Sequence, residues 1–305
     1  MELSPGPANE QDKSIMENDE NKPVHRGIKK GLYVIPTVFT AANIGMGFFA
    51  VLYSIRGFQL AEKDLAAATG YFDYAAVAIG LAILFDTLDG RVARMTHTTT
   101  ELGVQFDSLA DVLTFGIAPI ALIFSWGIAS ALPETSTAYG LGVFLLFMYL
   151  MCGAFRLARF NIQATRPRVL AEGTAKLDKK NFVGLPIPPA AGLLASIVHF
   201  HPMPLNSYGD DYAKFYAYLI MILIAILGIL MVSTIRYTSF KTVNFRGRSL
   251  YLVLLIAGTG MLVWLYSRYV LLILAAAYVS HGLIGYVVRT LSRKPGSETA
   301  ADIAG

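Results

Sequence analysis

The stretch FDTLDGRVARMTHTTTELGVQFDSLADVLTFGIAP, residues 85–119, places four aspartates at the facing ends of two apolar segments. Asp86 and Asp89 are three residues apart and Asp107 and Asp111 are four apart, so each pair projects from one face of a helix. An aspartate within a membrane helix opposes insertion by roughly 2.5–3.5 kcal/mol. Four aspartates therefore need compensation from partner residues, water or a metal ion.

The residues around the aspartates favour a divalent metal site that binds phosphate. Carboxylate oxygens are the ligands that Mg²⁺ and Mn²⁺ prefer, and these ions in turn bind substrate phosphates. Gly90 and Ala93 leave little side-chain bulk beside the carboxylates, so a phosphate or a flat base can approach the backbone. Arg94 adds a permanent cation with a fork that suits phosphate. Gly103 is expected to help the turn between the helices, and Thr100 offers a hydroxyl near it.

A competing interpretation is that the aspartates are solvated residues at a membrane interface, neutralised by Arg91 and Arg94. That interpretation would suffice for one aspartate. Two pairs on two matched helix faces favour the metal site, because four carboxylates close together repel each other unless cations lie between them.

The composition outside this stretch is that of a membrane protein. Hydrophobic residues make up 55% of the 305 residues and charged residues only 15%, and the mean hydropathy is +0.53. Apolar runs of sufficient length predict an all-α fold, a polytopic membrane helix bundle of about eight transmembrane helices. The last two spans are separated only by a tight turn at residues 266–269. The predicted spans are about 32–55, 71–94, 107–130, 137–160, 183–201, 213–234, 249–267 and 269–290.

Lysine and arginine accumulate in alternate connections between the predicted spans, as in cytoplasmic loops. This pattern accounts for the net charge of +4 without nucleic acid as a partner, and it places both termini and the four aspartates on the cytoplasmic side. The polar first 25 residues contain no apolar run, so no secretory signal is expected. We expect a disordered tail over 1–29, a membrane-embedded domain over 30–293 and a cytoplasmic tail over 294–305. The basic stretches are residues 26–30, 156–180, 236–248 and 289–294.

Other residues that often bind metals carry no assignment. His97 lies in the motif loop but at no ligand position, and His199 and His201 fall on the predicted outer side. The single cysteine, Cys152, lies in an apolar segment, where packing is its expected role.

The aspartate stretch resembles the CDP-alcohol phosphotransferase family, whose motif is D-x2-D-G-x2-A-R-x8-G-x3-D-x3-D. Every fixed position is present, with residues 95–102 as the spacer. The resemblance implies that the aspartates bind metal ions, two of Mg²⁺ or Mn²⁺, and that Asp111 also acts as general base toward the acceptor hydroxyl. It implies a homodimer in a bacterial inner membrane, with CDP-diacylglycerol as donor. The matching positions are Asp86, Asp89, Gly90, Ala93, Arg94, Gly103, Asp107 and Asp111.

The resemblance also implies the residues that bind the CDP-lipid. Gly90, Arg94 and Thr100 stand where the family contacts this substrate. The segment IPTVFTAAN, residues 35–43, resembles the family's segment beside the nucleotide and implicates Thr37 and Thr40. Thr37 departs from the asparagine that usually follows the proline in relatives.

Three further segments resemble the phosphatidylserine synthases of this family and favour L-serine as the acceptor. They are CGAFRLARFN at 152–161, FVGLPIPPAA at 182–191 and TIRYTSFK at 234–241. Serine carries a carboxylate, which a basic side chain at the cytoplasmic end can bind, as can a lipid phosphate. The same basic residues would also serve as positive-inside anchors of the helices. The candidates are Arg156, Arg159, Arg236 and Lys241.

Two other functions stay open at this stage. A sister enzyme would use glycerol 3-phosphate, inositol phosphate or choline in place of serine. An ion-coupled transporter would also contain intramembrane aspartates, but the motif occurs once and not in two related halves.

Overall fold

The computed structural model describes residues 26–96, 101–165, 181–238 and 249–292. The predicted tails lie mostly outside these ranges, and the first helix begins at Arg26, within the predicted 1–29 tail. The elements in chain order are α1 (Arg26–Leu60), α2 (Leu65–Thr96), α3 (residues 101–131), α4 (Thr137–Thr165), β1 (Asn181–Val183), α5 (Ile187–Phe200), α6 (Asp210–Val232), β2 (Arg236–Thr238) and α7 (Ser249–Ser292).

The helix α3 is continuous but contains two π-helical segments. It consists of the α-helical Glu101–Asp111, a π-helical Val112–Ile117, the α-helical Ala118–Ile123, a second π-helical Phe124–Ile128, and Ala129–Ala131. The residues at these junctions keep right-handed helical dihedral angles. Pro119, which has no N–H to donate, is the second residue after the first π segment, where the regular hydrogen-bond ladder is already shifted.

Six helices of the described chain are long and apolar enough to cross a membrane. They confirm the predicted polytopic helix bundle, although they do not confirm the count of eight spans. The predicted fifth span corresponds to α5, an apolar helix of 14 residues, and the last two predicted spans both lie in α7. The backbone of α7 is non-helical at Tyr266, within the predicted turn, and divides α7 into two helical segments.

The connections between the first three helices are short. Residues 61–64 connect α1 to α2, and Asp64 Oδ1 accepts a hydrogen bond of 3.0 Å from the backbone N–H of Ala67 in the first turn of α2. The centre of the bundle is formed by side chains of α2, α3, α5 and α6 that are fully buried. Among them are Ile79, Leu122, Leu194 and Ile224.

A small strand pair adds to the predicted all-α fold. β1 and β2 are antiparallel, with Phe182 opposite Tyr237 and Val183 opposite Arg236. Gly184 follows β1 with a φ of 82°, and a side chain there would collide with the backbone of Met231. Pro186 then forms the N-cap of α5, and proline is well tolerated at the start of a helix.

The second segment of α7 runs antiparallel to α5. At one end, Ser267 is hydrogen bonded to His199 near the C-terminus of α5. At the other end, Gly282 packs against the ring of Tyr237 in β2, which is paired with β1 just before α5 begins. The second segment therefore spans the bundle from the His199 end to the strand pair.

Candidate active site

The carboxylates of Asp86, Asp107 and Asp111 converge where α2 ends and α3 begins. Each offers one oxygen, and these three oxygens lie within 4.8 Å of one another. All three side chains are partly buried. The faces predicted from the i,i+3 and i,i+4 spacings are thus brought together across the connection between the two helices.

The fourth aspartate, Asp89, lies outside that group of three and is held by the first helix. Its side chain is buried, and its Oδ2 accepts a hydrogen bond from the hydroxyl of Thr40 in α1. Its Oδ1 is buried without a hydrogen-bond partner. Asp89 therefore has one oxygen fixed by the protein and one left for a ligand.

Buried polar atoms without a hydrogen-bond partner gather around this junction. In the described part of the chain they come from four residues, one on each of the helices α1 to α4. An unsatisfied buried polar group costs about 1–3 kcal/mol, so a fold that keeps several in one place is expected to satisfy them with something it binds. The atoms are Asn43 Oδ1 and Nδ2, Asp89 Oδ1, Asp111 Oδ1 and Arg156 Nε.

The donor set fits a divalent cation. Among the side chains that the structure describes, none of the four aspartates forms a salt bridge with a lysine or arginine. Asp86, Asp107 and Asp111 instead act on one another as like charges. Partly buried carboxylates at this separation repel strongly, and a hard cation with oxygen ligands removes the repulsion. This geometry supports the prediction of an acidic cluster that could bind a metal ion.

Arg156 approaches the cluster from α4. It interacts electrostatically with Asp111 and with Tyr278 of α7. The segment of α4 that contains it passes directly beside the start of α3, since Asn161 Nδ2 donates a hydrogen bond of 2.9 Å to Ser108 Oγ. The tyrosine hydroxyl of Tyr149 donates to the carbonyl of Phe115, with 3.2 Å between the oxygens. The predicted segment 152–161 thus lies against the aspartate-bearing part of α3.

The remaining predicted residues are placed to different extents. Gly90 follows Asp89 in α2, Gly103 lies in the first turn of α3, and Arg159 is partly buried one turn after Arg156. The structure describes only the backbone of four predicted residues. They are Thr37 in α1, Ala93 and Arg94 in α2, and Arg236 in β2. Thr100, Lys241 and His97 lie outside the described residues.

Sequence reasoning missed Asn43. Its side chain is fully buried, and it lies one helical turn after Thr40 on the same face of α1. The hydroxyl of Thr114, three residues after Asp111, donates to its backbone carbonyl across 3.3 Å. An asparagine in an apolar helix, three residues from a threonine already implicated, was the signal that could have identified it.

The two outer histidines are bound to neighbouring side chains. His199 Nδ1 lies 2.6 Å from Asp73 Oδ1, and its Nε2 lies 3.0 Å from Ser267 Oγ. His201 is hydrogen bonded to Tyr208. In the described part of the chain neither belongs to a group of three or more candidate metal ligands.

Comparison with known proteins gives consistent matches along most of the chain. A family profile described as CDP-alcohol phosphatidyltransferase matches residues 33–282. A CDP-diacylglycerol–serine O-phosphatidyltransferase of Helicobacter pylori is 31% identical over 257 residues, covering 84% of this chain and 92% of its own length. A protein of the same name from Methanocaldococcus jannaschii is 32% identical over 210 residues, covering 68% of this chain and 82% of its own length. An archaetidylserine synthase of Methanothermobacter thermautotrophicus is 32% identical over 205 residues, covering 67% of this chain and 69% of its own length.

Proposed function

Because this chain belongs to the CDP-alcohol phosphatidyltransferase family, we propose that it transfers a phosphatidyl group from CDP-diacylglycerol to the hydroxyl of L-serine, giving phosphatidylserine and CMP. The match over residues 33–282 and the relatives confirm the resemblance that rested on the aspartate motif. The chain is an integral membrane enzyme. The observation that carries the proposal is the convergence of Asp86, Asp107 and Asp111 at the junction of α2 and α3.

The four aspartates would hold two divalent ions, Mg²⁺ or Mn²⁺. Asp86, Asp107 and Asp111 supply the converging oxygens, and Asp89 adds its unpartnered Oδ1. Bound ions of this kind neutralise a pyrophosphate and stabilise the charge on the departing nucleotide.

Asp111 acts as the general base in the proposed reaction. Its Oδ1 has no hydrogen-bond partner among the described residues, so it is available to accept the proton of the serine hydroxyl. The serine oxygen bonds to the β-phosphorus of the donor, and the bond from that phosphorus to the oxygen bridging to CMP breaks. No covalent enzyme intermediate is required.

The CDP-lipid lies on the α1 and α2 side of the aspartates in this proposal. The hydrogen bond from the Thr40 hydroxyl to Asp89 supports this position of the CDP-lipid, because it links α1 to the aspartates. The acyl chains lie in the bilayer around the spans, and the cytidine and pyrophosphate lie at the polar junction. The proposed contact residues are Thr37, Thr40, Gly90, Ala93, Arg94, Thr100 and Gly103.

The acceptor lies on the α4 side, where Arg156 interacts with Asp111. Arg159 is on the same helix, while Arg236 and Lys241 are proposed from the sequence alone. The distribution of lysine and arginine supports an active site at the cytoplasmic face, and a bacterial inner membrane is the proposed location. A homodimer is the proposed assembly.

A panel of acceptors tests the choice of alcohol. The purified chain in detergent micelles is supplied with CDP-diacylglycerol, Mg²⁺ or Mn²⁺, and one of L-serine, glycerol 3-phosphate, inositol phosphate or choline. The lipid product is identified by mass spectrometry. We expect phosphatidylserine and CMP with serine only. A lipid product formed from another alcohol, without phosphatidylserine, would assign the chain to a sister activity.

A further inference from the structure

Tyr278, on the second segment of α7, lies within electrostatic range of Arg156. The two side chains interact electrostatically, and Arg156 interacts in the same way with Asp111. The consecutive helices α3 and α4 and the distant helix α7 therefore each contribute one polar group to this set of interactions. No motif in the sequence points to Tyr278.

The described residues do not use all the hydrogen-bond donors of Arg156. Its Nε is buried without a hydrogen-bond partner, and the guanidinium forms no salt bridge with a described carboxylate. A guanidinium always carries its charge and presents its donors in a planar fork, which matches a carboxylate. A partly buried arginine with an unused donor thus indicates that an anion binds here.

Tyr278 is held in place from behind by the strand pair. Its ring stacks on that of Tyr237 with centroids 6.0 Å apart and planes at 24°. Gly282, one turn later on the same face of α7, allows the close approach of α7 to Tyr237. Burial, with a smaller contribution from Tyr278, raises the pKa of Tyr237 to about 12, so Tyr237 remains uncharged and does not repel an anion nearby.

We propose that Arg156 and Tyr278 together bind the carboxylate of the acceptor. This inference rests on the proposed function, in which Asp111 accepts the proton of the acceptor hydroxyl. The hydroxyl and the carboxylate of serine are only a few bonds apart. When the hydroxyl is at Asp111, the carboxylate must therefore lie close by, and Arg156 is the described cation that interacts with Asp111.

The arrangement of the helices favours the acceptor over the donor as the occupant. Asp89 is hydrogen bonded to Thr40 on α1, whereas Arg156 on α4 interacts with Asp111. A donor pyrophosphate held by the metal-binding aspartates leaves the α4 and α7 side to the acceptor. The neutral phenol of Tyr278 adds a hydrogen-bond donor without adding charge, which completes a carboxylate site without competing with the metal ions.

Tyr278→Phe tests this inference because phenylalanine keeps the stacking on Tyr237 and removes only the hydroxyl. CMP release is measured against L-serine concentration at saturating CDP-diacylglycerol, and then against donor concentration. We expect the KM for serine to rise about tenfold, as the loss of one hydrogen bond to a charged group allows. The KM for CDP-diacylglycerol should stay unchanged. Tyr269→Phe is the matched control, since Tyr269 is exposed on the same helix near Phe200 and should leave both constants unchanged.

Serinamide, which lacks the carboxylate charge, provides the second measurement. The wild type should prefer serine to serinamide strongly, and both Tyr278→Phe and Arg156→Lys should reduce that preference. An unchanged KM for serine together with an unchanged preference in Tyr278→Phe would overturn the inference. A rise in the donor KM equal to that in the serine KM would also overturn it. If the wild type instead shows no serine-dependent CMP release, the proposed function itself fails.

Discussion

At the residue scale, the site is explained by polar groups that the fold leaves incomplete. Asp89 is bonded through one oxygen to Thr40 and has no partner for the other. Asp111 and Asn43 are likewise buried with unpartnered atoms. Each such atom is costly in the interior, so their concentration in one place is the mark of a binding site and not of a core.

Replacing Thr40 tests whether the first helix positions a metal-binding carboxylate. Thr40→Val keeps the shape of the side chain but removes the hydroxyl that donates to Asp89. We expect kcat/KM for CMP release to fall about tenfold or more, because hydrogen bonds to charged groups contribute about 1.5–3 kcal/mol.

Thr40→Ser is the matched control, since it retains the hydroxyl. It should keep most of the activity. Equal activity of Thr40→Val and the wild type would show that the bond to Asp89 has no role in the reaction.

Much of the site at this scale could be predicted from the sequence, because its residues are close along the chain. The spacing of Asp86, Asp89, Asp107 and Asp111 fixes their helix faces without any knowledge of tertiary structure. Tyr278 could not be predicted in this way. It reaches the site only through the packing of α7, which a local pattern does not contain.

At the element scale, the approach of α1 to α3 determines the shape of the site. Gly47 lies on α1 one turn after Asn43, and its Cα faces Thr114 of the first π segment. A Cβ built on Gly47 would lie 2.7 Å from Thr114 Oγ1 and 2.9 Å from Thr114 Cα. The π segment begins directly after Asp111, and π turns of this kind occur frequently at functional sites.

Adding one methyl group at Gly47 should separate the two helices. Gly47→Ala cannot be accommodated by a side-chain movement alone, because one of the colliding atoms is backbone. We expect a loss of about 1–3 kcal/mol in stability from overpacking, measured as a lower thermal midpoint in detergent, and reduced CMP release.

Gly45→Ala is the control for helix propensity on the same helix. A Cβ at Gly45 meets nothing within 4 Å, so this change should leave activity intact and stabilise the helix slightly. If Gly47→Ala behaves like Gly45→Ala, the close contact between α1 and α3 is not required.

The sequence predicts the long helices well and the irregular elements poorly. Apolar length alone indicates α1 to α4 and α6, and the turn expected at 266–269 coincides with the break at Tyr266. The strand pair could not be predicted, because β1 and β2 have three residues each and are far apart in the chain. Their pairing joins the two segments, around 182–191 and 234–241, that resemble phosphatidylserine synthases.

At the scale of the whole molecule, the two ends of the bundle differ in chemistry. One end holds the aspartates, and the other holds the contact of His199 with Asp73 and Ser267. Asp73 and Asp86 lie on the same helix about 20 Å apart along its axis, as the helical rise requires. The His199 contact links α2, α5 and α7, and it thereby fixes the end near Ser267 of the segment that carries Tyr278.

The whole bundle thus presents one polar junction at one membrane face, surrounded by helices with exposed apolar residues such as Phe48, Phe147 and Trp264. A lipid-linked donor can reach such a junction from the bilayer while a small polar acceptor enters from water. The alternating basic loops predict that this is the cytoplasmic face, since the positive-inside rule depends on sequence alone.

CMP release by the purified chain, compared between the wild type and Asp111→Asn, shows whether the aspartate cluster carries out metal-dependent transfer. With CDP-diacylglycerol, L-serine and Mg²⁺ or Mn²⁺ in detergent micelles, the wild type should release CMP. Chelation should abolish this release, and added metal should restore it. Asp111→Asn should show no release under any of these conditions. Near-normal release of CMP by Asp111→Asn would exclude Asp111 as the general base, and near-normal release by the metal-free wild type would exclude metal-dependent transfer.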